Sequence, residues 1–102
     1  MRFEPPYESL SHFVCGDVQV ARNAQDYIDL ITPVVEGKKP HVSTDGNAWW
    51  LEVGPATTRM GDIFVTPPFE LEVSTRWLVD MLTAFRDEAR AFARRRREAE
   101  GK

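Results

Sequence analysis

The chain has one thiol, Cys15, and two imidazoles, His12 and His41. A cysteine becomes a nucleophile when a neighbouring base or a cationic environment draws off its proton. Nothing in the spacing of these three residues sets a histidine beside the thiol. Cys15 therefore reads as a buried strand thiol and the histidines as ordinary side chains. One thiol and two scattered imidazoles do not make a zinc motif, and the carboxylates follow no calcium-loop pattern. Glycines stand singly at 16, 37, 46, 54, 61 and 101, so neither a phosphate-binding loop nor a dinucleotide fingerprint is present. These patterns point to no catalytic residue, no cofactor and no metal, and to a protein that is not an enzyme.

Two other groups of residues suit contact rather than catalysis. In an extended segment Trp49, Leu51 and Val53 share one face, and Ala48, Trp50 and Glu52 the other. If Trp49 and Ile63 face the core, Trp50, Met60 and Phe64 gather on the opposite face, with Glu52 and Asp62 beside them. Tryptophan is a frequent interface anchor, and an exposed apolar patch marks a partner. The competing expectation is that the N-terminal segment, with Phe3 and Tyr7, covers that patch. The second group is a basic stripe, Arg86, Arg90, Arg94 and Arg97, spaced by four, four and three residues along one helix face. Such a stripe can follow a phosphate backbone. It can equally be a solvated helix end whose arginines favour the C-terminal dipole and pair with Glu98 and Glu100.

The elements that must position these residues follow from periodicity and breakers. Pro5-Pro6 keeps the N-terminus extended. His12 to Val20 alternates like a strand, with a bulge at Gly16. Asn23 caps a helix carrying Tyr27, Ile28, Ile31 and Val34 or Val35 on one face. Pro33 kinks or shortens this helix, and Gly37 stops it. Asp45-Gly46 between Val42–Thr44 and Asn47–Val53 predicts a tight hairpin turn. Met60–Thr66 and Phe69–Val73 read as further strands, the last being the weakest. Ser74 caps the final helix, where Leu78, Met81, Leu82, Phe85, Ala89 and Phe92 form one apolar stripe. Arg96 falls on the same stripe, so burial is expected to stop near Phe92.

The expected class is α+β: an antiparallel sheet of four or five strands packed on two helices, in the order β-α-β-β-β-β-α, with a long C-terminal amphipathic helix. Residues 1–93 form a single domain, and residues 94–102 the charged, solvent-projecting end of that helix. A chain of 102 residues with 42% hydrophobic and 28% charged side chains has the composition of a globular domain. Charge is divided unevenly. Residues 1–74 carry five basic and eleven acidic side chains, and residues 75–102 carry eight basic and five acidic. The acidic body repels nucleic acid and disfavours it as a partner.

A lone cysteine fits a reducing compartment, the N-terminus lacks the apolar run of a signal peptide, and no segment is long enough to span a membrane. A cytoplasmic location follows as the expectation. The function that fits is a non-enzymatic protein-binding module. It would be a small acidic inhibitor, such as an immunity protein or a phage-encoded antagonist, with homodimerisation an open alternative. A nucleic-acid-associated or assembly accessory role through the arginine helix is the runner-up.

Overall fold

The computed structural model describes residues 10–14, 18–46, 49–63 and 69–100. Its elements are α1 (Leu10–Phe13), α2 (Ala21–Val35), β1 (Val42–Asp45), β2 (Trp49–Val53), β3 (Thr57–Asp62), β4 (Phe69–Ser74) and α3 (Thr75–Glu100). The four strands form one antiparallel meander in the order β1-β2-β3-β4, and α2 and α3 pack together over one face of it. The α+β class, the four-stranded antiparallel sheet and the long C-terminal helix are as the periodicity predicts.

The first element is a correction. The segment from His12 to Val20 was expected to be a strand, yet Leu10–Phe13 is helical and no strand occurs among its described residues. The Val18–Val20 alternation is two positions long, and local packing overrides a pattern that short. Leu10, Phe13, Val14 and Val18 are all buried. The Phe13 ring meets Tyr27 of α2 edge-on at 5.4 Å and lies 5.7 Å from Trp49 of β2. This segment therefore plugs one end of the core between helix and sheet.

α2 begins two residues before the expected cap, at Ala21, with Val20 as its N-cap and no side-chain cap hydrogen bond. Ala24, Ile28, Ile31 and Val34 form its buried stripe. Pro33 is inside the helix, in its last turn, and so shortens it little. The helix ends in a Schellman arrangement: Lys38 N–H donates to Pro33 O at 2.8 Å and Gly37 N–H to Val34 O at 3.2 Å. That closure needs a left-handed residue, and Gly37 supplies φ 79°.

The hairpins correct two further expectations. Val42 pairs with Val53 and Asp45 with Trp50, and Gly46 N–H donates to Trp49 O at 2.7 Å. Asp45 is thus a paired residue of β1 rather than part of the turn, and residues 47–48 lie outside the described residues. The core face of β3 is one residue out of phase with the one that the apolar alternation predicts. Leu51 pairs with Met60 and Trp49 with Asp62, so even-numbered residues of β3 share the core side. The cause is the turn at Gly54–Thr57, closed by Gly54 N–H to Thr57 O at 2.9 Å, which starts β3 three residues earlier than the apolar run suggests. An added Cβ at Gly54 would lie 3.0 Å from Thr57 O, close enough that the turn would have to give by a few tenths of an ångström.

The core then assembles from Trp49, Leu51, Val53, Met60 and Val73 of the sheet against the α2 stripe and Leu78, Met81 and Leu82 of α3. α3 is anchored at its first residue. Thr75 is buried, its Oγ1 donates to Gly54 O at 2.6 Å, and Thr58 Oγ1 lies 2.8 Å away. Thr75 N–H also donates to Ala56 O at 3.0 Å. Ser74 caps the helix as expected, with Trp77 N–H donating to its Oγ at 3.2 Å.

Candidate functional site

The register separates the residues expected to form an aromatic patch. Trp50 is half-buried on the outer sheet face, between Asp45 of β1 and Gly61 of β3. Met60 is 0% exposed and belongs to the core, so it is not beside Trp50. Asp62, partly buried, shares Met60's side of β3 rather than Trp50's. Ile63, expected in the core, is 46% exposed just past the strand. Phe64 lies outside the described residues, as do Phe3, Tyr7 and Cys15, and the side chain of His12.

Glu52 is on the Trp50 face as expected. Arg59 bridges it at 3.6 Å and also pairs with Glu70. Among the described residues this face therefore offers one aromatic side chain in a field of charge. Ser43, Asp45, Trp50 and Glu52 help line a shallow recess there.

A different surface carries the exposed apolar area. Burial along α3 ends early: Leu78, Met81 and Leu82 are buried, Phe85 is half-buried, and Phe92 is 59% exposed. Facing this stretch is the start of α2, where Val20 is 52% exposed. Between them runs an open groove of about 670 Å³. Its apolar lining is Val20, Ala21, Phe85, Ala89, Phe92 and Ala93. Its polar lining includes Gln19, Arg22, Glu88, Arg90, Arg95 and Arg97.

Three features of this groove run against the stability of the isolated chain. Val20 has the extended backbone of an N-cap, φ −134° and ψ 163°, but its side chain cannot accept a hydrogen bond there. Valine at that position gives up roughly 1 kcal/mol relative to serine or aspartate. Gln19, next to it, has φ 60°, a left-handed conformation uncommon for a residue with a Cβ. Phe92 exposes most of its ring. Departures from local preference that cluster on one surface are what contact sites show.

The arginine stripe is divided by the fold. Arg86 is held by α2 and its own neighbour: Nη1 donates to Gln25 Oε1 at 2.8 Å, and Nε donates to Asp87 Oδ1 at 3.0 Å. Arg90 and Arg97 line the groove, and Arg94 is exposed away from it. Arg22, Arg90, Arg94, Arg95 and Arg97 have no ion pair among the described residues, so the expected local pairing with Glu98 is not seen for them, and the side chain of Glu100 lies outside the described residues. At the far end of α2, Glu36 pairs with Lys38 at 2.8 Å and holds the Lys38 ammonium above its ordinary pKa by hydrogen bonding and charge.

Among the described residues no cluster of three or more His, Cys, Asp or Glu side chains is arranged to hold a metal ion. No described helix is long and apolar enough to cross a membrane. No protein-family model matches the chain, and no curated protein or solved structure matches it significantly. The functional reading therefore rests on surface geometry alone. Val20 and Phe92 do not mark the groove in the sequence, where the cap reads as Asn23 and Phe92 as the end of the buried stripe. Their proximity, across 72 positions of chain, became visible only with the fold.

Proposed function

We propose that this protein is a non-enzymatic binding module that acts by occupying the surface of a partner protein, in the manner of a small inhibitor. The observation that carries this reading is the groove between α2 and α3. Val20 and Phe92, two of the large apolar side chains most exposed among the described residues, both line it. Exposed apolar area rimmed by polar groups is the usual mark of an interaction surface. The Trp50 face remains the weaker candidate, because charged and polar side chains surround its single described aromatic.

The test is site-specific photocrosslinking in the native host, with a photoreactive side chain at position 92 or at position 50. Crosslinking of one discrete protein from position 92 and none from position 50 supports the groove. Crosslinking from position 50 alone returns the contact surface to the outer sheet face.

The second reading is nucleic-acid association through α3, favoured by Arg90, Arg94, Arg95 and Arg97, which are exposed and have no ion pair among the described residues. Arg86, at the head of the Arg86, Arg90, Arg94 and Arg97 stripe, is however tied to Gln25 and Asp87, and Arg95 and Arg96 point off that stripe at about 100° per residue. Duplex binding whose affinity falls steeply between low and physiological salt, and which is lost in Arg94→Glu with Arg97→Glu, would favour this reading over the groove.

A further inference from the structure

We propose that the occupant of the α2–α3 groove is an acidic amphipathic helix from another protein, rather than a second copy of this chain. The inference rests on the protein-binding reading above and narrows the chemistry of the partner.

Shape argues for a helix. Along α3 the groove presents Phe85, Ala89 and Phe92, spaced by four and three residues, with Ala93 beside them. Aromatic ridges alternating with alanine gaps accept the i, i+4, i+7 anchors of an opposing helix, and the alanines let its backbone come close. The groove is open on its outer side, so an incoming helix lies along it without threading.

Charge decides the partner. Among the described residues four arginines line the groove, Arg22, Arg90, Arg95 and Arg97, against one carboxylate, Glu88. None of the four is neutralised by an ion pair among the described residues. The uncapped first turn of α2 adds the positive end of a helix dipole on the same side. A carboxylate-rich helix satisfies all of these groups at once.

A second copy does the reverse. A two-fold dimer sets the same patch against itself. The stretch from Arg86 to Arg97 holds six arginines and two acidic residues, so pairing it with its own copy opposes two strongly positive segments. Like charges brought together across an interface disfavour association and are a common device for excluding wrong partners. A nucleic acid would meet the arginines but leave the Phe85–Phe92 floor without a matching apolar surface.

The test uses the full chain and three labelled peptides of about 18 residues, or about five helical turns. One carries leucine at i, i+4, i+7 and i+11 with glutamate on the remaining face. The second has the same composition in an order that breaks the stripe. The third carries lysine in place of glutamate. Fluorescence anisotropy at physiological salt is expected to show binding of the first, with the second at least about tenfold weaker and the third not binding. Phe92→Ala, and separately Arg90→Glu with Arg97→Glu, should each weaken the first peptide by about tenfold or more, while Trp50→Ala leaves it unchanged.

The proposal is overturned if the acidic helical peptide does not bind, if the scrambled or lysine peptide binds as well, or if Phe92→Ala has no effect. It is also overturned if the chain alone sediments as a dimer that Phe92→Ala converts to monomer, because the groove is then filled by a second copy. Photocrosslinking at position 92 separates the two levels of inference. A host protein captured there while the acidic peptide fails refutes the partner chemistry and leaves the groove as the contact surface. Failure of both removes the groove reading itself.

Discussion

The two halves of α3 belong to one continuous helix and have opposite surroundings. Thr75 to Phe85 begins on two side-chain anchors, Ser74 and Thr75, and buries Leu78, Met81 and Leu82 against the sheet and α2. Arg86 to Glu100 continues the same apolar spacing through Ala89 and Phe92 but covers it with nothing among the described residues except the start of α2. An amphipathic pattern states which face of a helix is apolar. It does not state what lies against that face. The first half uses its stripe to build the domain, and the second half holds the same kind of stripe open at the surface.

The largest expected effects lie in the first half and its sheet partners. Leu82→Ala should cost about 2–5 kcal/mol and Trp49→Ala about 3–5 kcal/mol, since both side chains are fully buried and their removal leaves a cavity. Urea melts measure this directly. For a domain with roughly 5–15 kcal/mol of total stability, either change can leave a large unfolded fraction. If both variants melt like the parent, the core faces are assigned wrongly, and the contrast between the helix halves disappears with them.

A smaller loss is expected at the joint between helix and sheet. Thr75→Val keeps the shape but removes the hydroxyl that donates to Gly54 O and meets Thr58 Oγ1. The buried Thr58 hydroxyl and the partly buried Gly54 carbonyl then lose a partner, at a cost of about 1–3 kcal/mol. Thr75→Ser retains the hydroxyl and should restore most of that loss. If Ser is no better than Val, the methyl packing of Thr75 matters more than its hydrogen bonds.

Much of this arrangement was legible in the sequence, for identifiable reasons. Ser74 and Gly37 are short-range signals with a fixed geometry, and both mark helix ends as read. The meander follows from closely spaced turns. What was misread depends on longer-range geometry. The phase of β3 is set by the Gly54–Thr57 turn, and a one-residue error there moved Met60 from the core to the surface. The Val18–Val20 alternation resembled a strand because both valines are apolar, yet Val18 is buried and Val20 is an exposed helix cap. The groove itself joins residues from opposite ends of the chain, and no local pattern announces such a juxtaposition.

At Val20 the predicted change has the opposite sign. Its backbone already has N-cap geometry, so Val20→Ser supplies an acceptor for the first turn of α2 without moving the chain. The gain is about 0.5–1 kcal/mol, a rise of several degrees in melting temperature for a domain of this size. The same change removes an exposed apolar side chain from the groove and should weaken partner binding. A variant that is more stable and binds less well is the signature of a residue kept for contact. A destabilised variant would show that Val20 packs on the chain itself, and the groove would then be part of the fold.

The smallest effect is expected at the far end of α3. Residues 94–99 are exposed throughout, and burial has already ended near Phe85. Removing residues 94–102 deletes the exposed side chains at 94–99 and no described core contact, so the melting temperature should stay within about one or two degrees of the parent. Partner affinity is the informative measurement in this variant. Truncation removes Arg95 and Arg97 from the groove rim but keeps Phe85, Ala89, Phe92 and Ala93 on its floor. If apolar anchoring dominates, the truncated chain still binds, more weakly and with less dependence on salt, because fewer charges remain to be screened. If binding is abolished while Phe92→Ala binds normally, the arginines carry the contact without the apolar floor. Function then moves to the charged helix end, and the division between the two halves of α3 falls near Arg94 instead of Arg86.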